Sequence, residues 1–362
     1  MLFFIDESVV EAAERGDSTV LNRLEDLYHC WLRGFCIIGS SRKNFNRIIG
    51  IEKLNCYRLV EKSVQGIQSL YDDLAFFIVL TYKHKKCQSL NQYSEKIREI
   101  DIESMNGIFD LSLNFLVCEN VMDYDFYCWI TEQQDVCPKN NLFHFVLPFN
   151  GGGATTVTSL KHVQKHFCLV ICDSDVKYEG AQKGKTCKEI CSYIDDLYTI
   201  GVNSVWRYVL TVHEVENLIP LDILQRIVAK GTIKKLREIQ SKTYGDTFLS
   251  YFDFKEGFKE STYRKLYAVD NNVFTNYRNL FLSIGKNDDT MKKILKRKYN
   301  KGKDNCIVHG LGQAVLADTV NFLMNNNIST RDYSLCSYQN NDWWQISKLI
   351  WSLGCAVTPK NV

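Results

Sequence analysis

Phe167-Cys-Leu-Val-Ile-Cys172, running straight into Asp173-Ser-Asp175, is the stretch on which the reading of this chain turns. Six consecutive apolar, β-prone residues suit a strand buried on both faces. The run stops abruptly at two carboxylates. Working outward, the same pattern recurs. Leu111 to Cys118 is an apolar run that ends at Glu119, with Asp123 four residues on. Leu142 to Leu147 ends at Pro148 and is followed by Asn150-Gly151-Gly152-Gly153. Val205 to Val212 ends in His213-Glu214-Val215-Glu216-Asn217. Helix-length segments at 123–135, 154–166 and 185–199 lie between the runs. Alternation of this kind predicts an α/β fold with a parallel sheet and right-handed crossovers. Function in such sheets gathers beyond the carboxyl ends of the strands, where these acids fall.

Spacing sharpens the expectation. Asp173 and Asp175 are two apart, as are Glu214 and Glu216, so an extended backbone points each pair one way. Clustered carboxylates repel one another and call for a hard cation such as Mg²⁺. A carboxylate-held Mg²⁺ in turn suggests phosphate chemistry. Gly151, Gly152 and Gly153 permit positive φ and close approach of a phosphate or another backbone; a tight turn into the next helix accounts for them equally well.

With these residues in place, Glu119-x3-Asp123, a glycine turn, Asp173-Ser-Asp175 and Glu214-Val-Glu216-Asn217 together resemble a TOPRIM domain. The pattern is most similar to nucleases of the OLD type and their small stand-alone relatives in phage defence. That family places a Glu after its first strand, D-x-D after its third and often E-x-E-N after its fourth. The resemblance covers about 110–217. It departs at Asn120, where the family often has Gly and where a bulkier residue would narrow the approach to Glu119.

The resemblance implies a TOPRIM core, Rossmann-like, at 110–217. Glu119, Asp173 and Asp175 would form the core metal site, and Asp123, Glu214 and Glu216 would complete it or hold a second ion. One or two Mg²⁺ or Mn²⁺ ions are implied; a pair about 3.5–4 Å apart would stabilise attacking and leaving oxygens in phosphodiester cleavage. Glu119 is alternatively a general acid or base. Lys177 would neutralise transition-state charge, or is a surface lysine. The implied activity is a metal-dependent endonuclease on DNA or RNA, tRNA included, acting in anti-phage defence. The rival reading is a non-catalytic TOPRIM-like scaffold that binds nucleic acid or assembles partners.

Two motifs are set aside. Gly180-Ala-Gln-Lys-Gly184-Lys185-Thr186 has three residues between its glycines where a phosphate loop needs four, and reads as a loop leading into a helix. His162, His166, Cys168 and Cys172 divide between a helix and a strand, and fit a core better than a zinc site.

Composition bounds the rest. The 362 residues have room for two or three domains, and the formal net charge of +2 neither marks nor excludes a nucleic-acid binder. Fourteen scattered cysteines without a secretory leader suggest thiols in a reducing cytoplasm. With no apolar run of membrane-spanning length, no membrane partner is expected. Residues 1–109 read as a mainly helical assembly or regulatory domain, with 54–83 as one or two amphipathic helices and 3–6 and 35–39 as short strands. A strand ending in Asp6 is similar to the opening of PIN-like nucleases, but the sequence offers no convincing partners for it. Residues 218–362 read as a helical region packed on the core, with a helix at 221–240, a loop at Asp253–Gly257 and a further helix opened by Ile307–Gly312. Within it, Lys292, Lys293, Lys296, Arg297 and Lys298 belong to seven cations in the thirteen residues 291–303, a phosphate-contact surface or a solvated helix end. Nucleic acid, and a regulatory protein or second copy of the chain, are the expected partners.

Overall fold

The opening strand β1 (Leu2–Ile5) is buried at every position, as a central strand of a parallel sheet must be. The computed structural model describes residues 1–63, 68–87, 90–105, 114–136, 142–297 and 304–359. Beside β1 lie β2 (Ile37–Ser40) and β3 (Phe77–Thr81), and β4 (Ile97–Asp101) pairs with β3; the order is β2-β1-β3-β4 and every pair is parallel. The described residues of 1–109 hold more helix than strand, but they also build this four-stranded parallel sheet. Phe77-Ile-Val-Leu-Thr81 falls in the stretch expected as amphipathic helix, but a short apolar run fits a doubly buried strand equally, and all five of its residues are buried. Helices do cover 57–63 and 68–73 within the expected stretch. Asp6 caps the helix Glu7–Glu14, accepting from the Ser8 N–H at 3.0 Å.

The second sheet carries the strands foreseen from the acidic runs. It comprises β5 (Asn114–Cys118), β7 (Leu147–Asn150), β8 (Phe167–Cys172) and β9 (Val205–Val209) in the order β7-β5-β8-β9. β5 is parallel to both β7 and β8. Cys168 N–H donates to Ser204 C=O (2.9 Å) and Leu210 N–H to Cys172 C=O (3.0 Å), so β9 runs in the same direction. Helices at Val121–Gln133, Thr156–Val163 and Lys185–Thr199 match the expected segments. The single strand expected at 142–147 is two. β6 (Leu142–His144) pairs antiparallel with the C-terminal strand, and β7 holds Pro148 at the sheet edge, where a missing N–H is tolerated.

Contacts divide the chain into two compact units, whose bounds differ from the three segments read in the sequence. The first unit contains Met1–Ile171, Ile190–Tyr208 and Trp344–Val362. Its core joins both sheets: Phe76 stacks on Trp206 with ring centroids 4.2 Å apart, and Phe3 meets Phe167 edge-on at 5.7 Å.

The second unit contains Cys172–Glu189 and Val209–Trp343 and is mostly helical. Residues 221–240, expected as one helix, are two, Leu221–Ile227 and Lys230–Gln240. Ile307 to Gly312, expected to open a helix, begins within strand β11 (Cys306–His309), antiparallel to β10 (Gly257–Lys259), and the helix starts only at Val315; the C-terminal strand β12 is Cys355–Val357. Gly257 and Gly310 permit this pairing, since a Cβ on Gly310 would sit 2.5 Å from the Lys255 carbonyl oxygen. An aromatic core of Phe248, Phe258, Tyr277 and Phe281 lies behind it. No disulfide joins the described cysteines, and no helix among the described residues is long and apolar enough to cross a membrane.

Candidate metal centre

The carboxylates of the second unit are brought together by backbone hydrogen bonds rather than by strand alternation. Asp173 Oδ1 accepts from the Val215 N–H at 3.0 Å, and Asp175 N–H donates to the His213 carbonyl at 2.9 Å. Asp173-Ser-Asp175 is thereby clamped to His213-Glu-Val-Glu216. Ser174, buried between them, donates its hydroxyl to the Val212 carbonyl. Asp175 sits in the left-handed region with φ of 55°, so the extended geometry expected for the pair does not hold. Its side chain lies where a Cβ on Gly184 would come within 2.1 Å of Oδ2. Gly184 therefore serves close packing against Asp175, and its N–H donates to the Ser174 carbonyl at 2.9 Å. The helix then opens at Lys185, in keeping with the loop-into-helix reading of the glycine–lysine motif.

Glu214 and Glu216 also leave the extended geometry. Glu214 precedes a short 3-10 turn, Val215–Leu218, and Glu216 lies within it. Asn217, fully buried, accepts from the Glu214 N–H at 2.9 Å and donates to the carbonyls of Leu249 (2.7 Å) and Phe252 (2.8 Å). Gln339 and Trp343 donate to the same turn, at the carbonyls of Ile219 and Leu218.

Both glutamates are about 95% buried or more, and the residue that makes this tolerable is Lys255. Its Nζ lies 2.9 Å from Glu214 Oε2 and 3.3 Å from Glu216 Oε1. Burial, and then the charge of Glu216, push the Glu214 carboxyl up to about 7 against the opposing pull of Lys255. Burial disfavours the Lys255 cation, but Glu216 and Glu214 outweigh it and hold the ammonium well above its ordinary range. Phe254 N–H donates to Glu214 Oε1 at 3.1 Å. Beside it, His213 Nε2 stands 3.9 Å from Asp253 Oδ2. Burial raises the Asp253 carboxyl, but His213 and the Glu256 N–H bring it below its usual value. Lys177 is exposed, and its charge also reaches Asp253.

Lys255, His213 and Asp253 were not singled out in the sequence. Their one local signal is Asp253-Phe254-Lys255, a buried aromatic flanked by opposite charges in a segment read as a loop.

In the first unit, Glu119 follows β5 and is exposed. The glycine turn adjoins it: a Cβ on Gly153 would lie 3.1 Å from Glu119 Oε1. Gly152 and Gly153 have φ of +73° and +57°. Gly151 and Gly152 donate their N–H groups to the carbonyls of Cys118 and Glu119, at 2.7 and 3.0 Å, so those two donors serve the turn. Asp123 is buried and closes a capping box, accepting from the Asn120 N–H at 3.0 Å while Asn120 accepts from Asp123 N–H at 3.2 Å. Asn120, the departure from the glycine of the resembled pattern, is thus a helix cap.

The basic segment begins as the helix Asp288–Lys296, with Met291 and Ile294 buried. Lys292 pairs with Asp288 at 2.8 Å; Lys293, Lys296 and Arg297 are exposed; Lys298 lies outside the described residues. No family model, no curated protein and no solved structure matches the chain.

Proposed function

We propose that this chain is a divalent-metal-dependent nuclease with a TOPRIM-like arrangement of acids, cleaving DNA or RNA as an effector of anti-phage defence. The observation that carries the reading is the clamp of Asp173-Ser-Asp175 onto Glu214-Val-Glu216 through Asp173–Val215 and Asp175–His213. Two acidic motifs separated by some forty residues of sequence share one locus. Bound Mg²⁺ or Mn²⁺ would supply Lewis-acid charge to a phosphate oxygen. Asp173 and Asp175 are the residues to hold it. Lys255 offsets the charge of Glu214 and Glu216 and is a cation available to a phosphate. The exposed Lys293, Lys296 and Arg297 are candidates for backbone phosphates. The defence role rests on the resemblance alone.

A second reading, a non-catalytic scaffold, draws support from Lys255, because a lysine seated between Glu214 and Glu216 already neutralises much of that pair. Incubation of the full chain with plasmid, single-stranded DNA and total RNA separates the two. Cleavage that needs Mg²⁺ or Mn²⁺, stops with chelator and is lost in Asp173→Asn supports the nuclease. Nucleic-acid binding without cleavage under every metal supports the scaffold.

A further inference from the structure

His213 is a buried imidazole that the carboxylate clamp does not use. It is 3% exposed, and Nδ1 has no hydrogen-bond partner among the described residues. Its backbone is fixed on both sides: the N–H donates to Ser250 C=O at 2.8 Å, and the carbonyl accepts from Asp175 N–H at 2.9 Å. The ring is therefore placed by the turn, and its Nε2 faces Asp253 Oδ2 across 3.9 Å. That is too long for a charge-assisted hydrogen bond, which would close to about 2.7–2.9 Å. It is an ordinary separation for two atoms that share one ion, each about 2.0–2.2 Å from it.

One donor atom from each of His213, Glu214 and Asp253 lies within 4.8 Å of the other two. The backbone holds one oxygen of each carboxylate. Asp253 Oδ1 accepts from Glu256 N–H at 2.6 Å, which leaves Oδ2 toward His213. Glu214 Oε1 accepts from Phe254 N–H at 3.1 Å, and a carboxylate oxygen has a further lone pair to offer. Metal ligands are oriented by outer contacts of this kind.

We propose that His213, Glu214 and Asp253 form a binding site for a divalent transition-metal ion. The donor set decides the class. Mg²⁺ takes oxygen ligands and water, whereas an imidazole with two carboxylates suits manganese, cobalt or zinc. The site lies in the turn after β9 and shares Glu214 with the reading above, on which it rests for that residue. Lys255 touches Glu214 Oε2 and Glu216 Oε1, so an ion held through Glu214 Oε1 would leave the lysine both of its partners.

The test uses the full chain, stripped with chelator and then titrated with Mn²⁺, Co²⁺, Zn²⁺ or Mg²⁺ by calorimetry. Co²⁺ absorption and Mn²⁺ paramagnetic resonance on ¹⁵N-histidine protein report the ligands. The expected results are a nitrogen coupling to Mn²⁺, visible Co²⁺ bands of low coordination number, and Mn²⁺ affinity about tenfold or more above Mg²⁺. His213→Gln and Asp253→Asn should each weaken Mn²⁺ and Co²⁺ about tenfold or more. The shift of melting temperature with Mg²⁺ should stay as in wild type. Should His213→Gln fail to fold, Asp253→Asn, which keeps shape and the acceptor for Glu256, decides. Absence of nitrogen coupling, or wild-type affinity in the folded variants, overturns the site even where Asp173-dependent cleavage persists. Nitrogen-coupled binding in a protein that cuts nothing upholds the site and refutes the nuclease.

Discussion

Lys255→Met is the perturbation that most directly interrogates the acidic locus. It removes the one cation placed against both Glu214 and Glu216 among the described residues, at 2.9 and 3.3 Å, and leaves a side chain of similar length. Deleting one partner of a buried pair costs about 3–5 kcal/mol, because the remaining charge stays out of water. Lys255 retains 28% side-chain exposure, which places the cost at the low end, about 3 kcal/mol. For a unit of this size that is a fall in melting temperature of about 6–12 °C. The loss should depend on pH. The Glu214 carboxyl is raised from 4.5 to about 7, so in the native state it holds a proton that the unfolded chain has released between those values. Its contribution to stability is full below 4.5 and disappears as pH rises through about 7. Without Lys255 the carboxyl moves higher still. The variant should then melt close to wild type near pH 5, where the proton replaces the missing cation, and fall progressively behind toward pH 8. Calorimetry or fluorescence-monitored melting across this range is the assay. A gap below about 2 °C at pH 8, or one that does not change with pH, would refute the argument that Lys255 carries the burial of these glutamates.

Gly184→Ala places a Cβ 2.1 Å from Asp175 Oδ2, where the Ser174–Asp175 peptide is held at both its carbonyl and its N–H; it should cost about 1–3 kcal/mol and weaken divalent-ion binding, and unchanged melting and titration would free Gly184 from this role. Asp173→Asn retains an acceptor for Val215 N–H, so it should melt near wild type yet lose cleavage, whereas Asp173→Ala should also lose about 1–3 kcal/mol from the orphaned donor; an active Asn variant in saturating Mg²⁺ would remove Asp173 from the site. Neutralising Lys293, Lys296 and Arg297 together should flatten the slope of log K against log salt by about 2–3 units without altering sequence preference, measured by fluorescence anisotropy in calcium. Wild-type slope would make the helix a solvated surface.

Particular elements show why some of this was legible. The helix at Lys185–Thr199 and strand β8 were readable because their patterns extend over enough residues, or end sharply enough, to admit one interpretation. Phe77–Thr81 was not, because five apolar residues fit a helix turn and a buried strand alike. Asp123 and Glu119 look alike in sequence. The fold separates them, one into a capping box with Asn120 and the other onto an exposed strand end.

The sequence by itself determined the alternation of apolar runs and helices, and with it the parallel α/β character and the acids that follow the strands. Hydrophobic periodicity is local, and local patterns survive without a partner. The tertiary structure alone decided which acids meet and what stands among them. Lys255 reaches Glu214 and Glu216 across some forty residues, and Asp253 comes opposite His213 through a loop with no motif. Burial and charge neutralisation are properties of neighbours in space, so no spacing along the chain could reveal that the glutamate pair carries its own lysine.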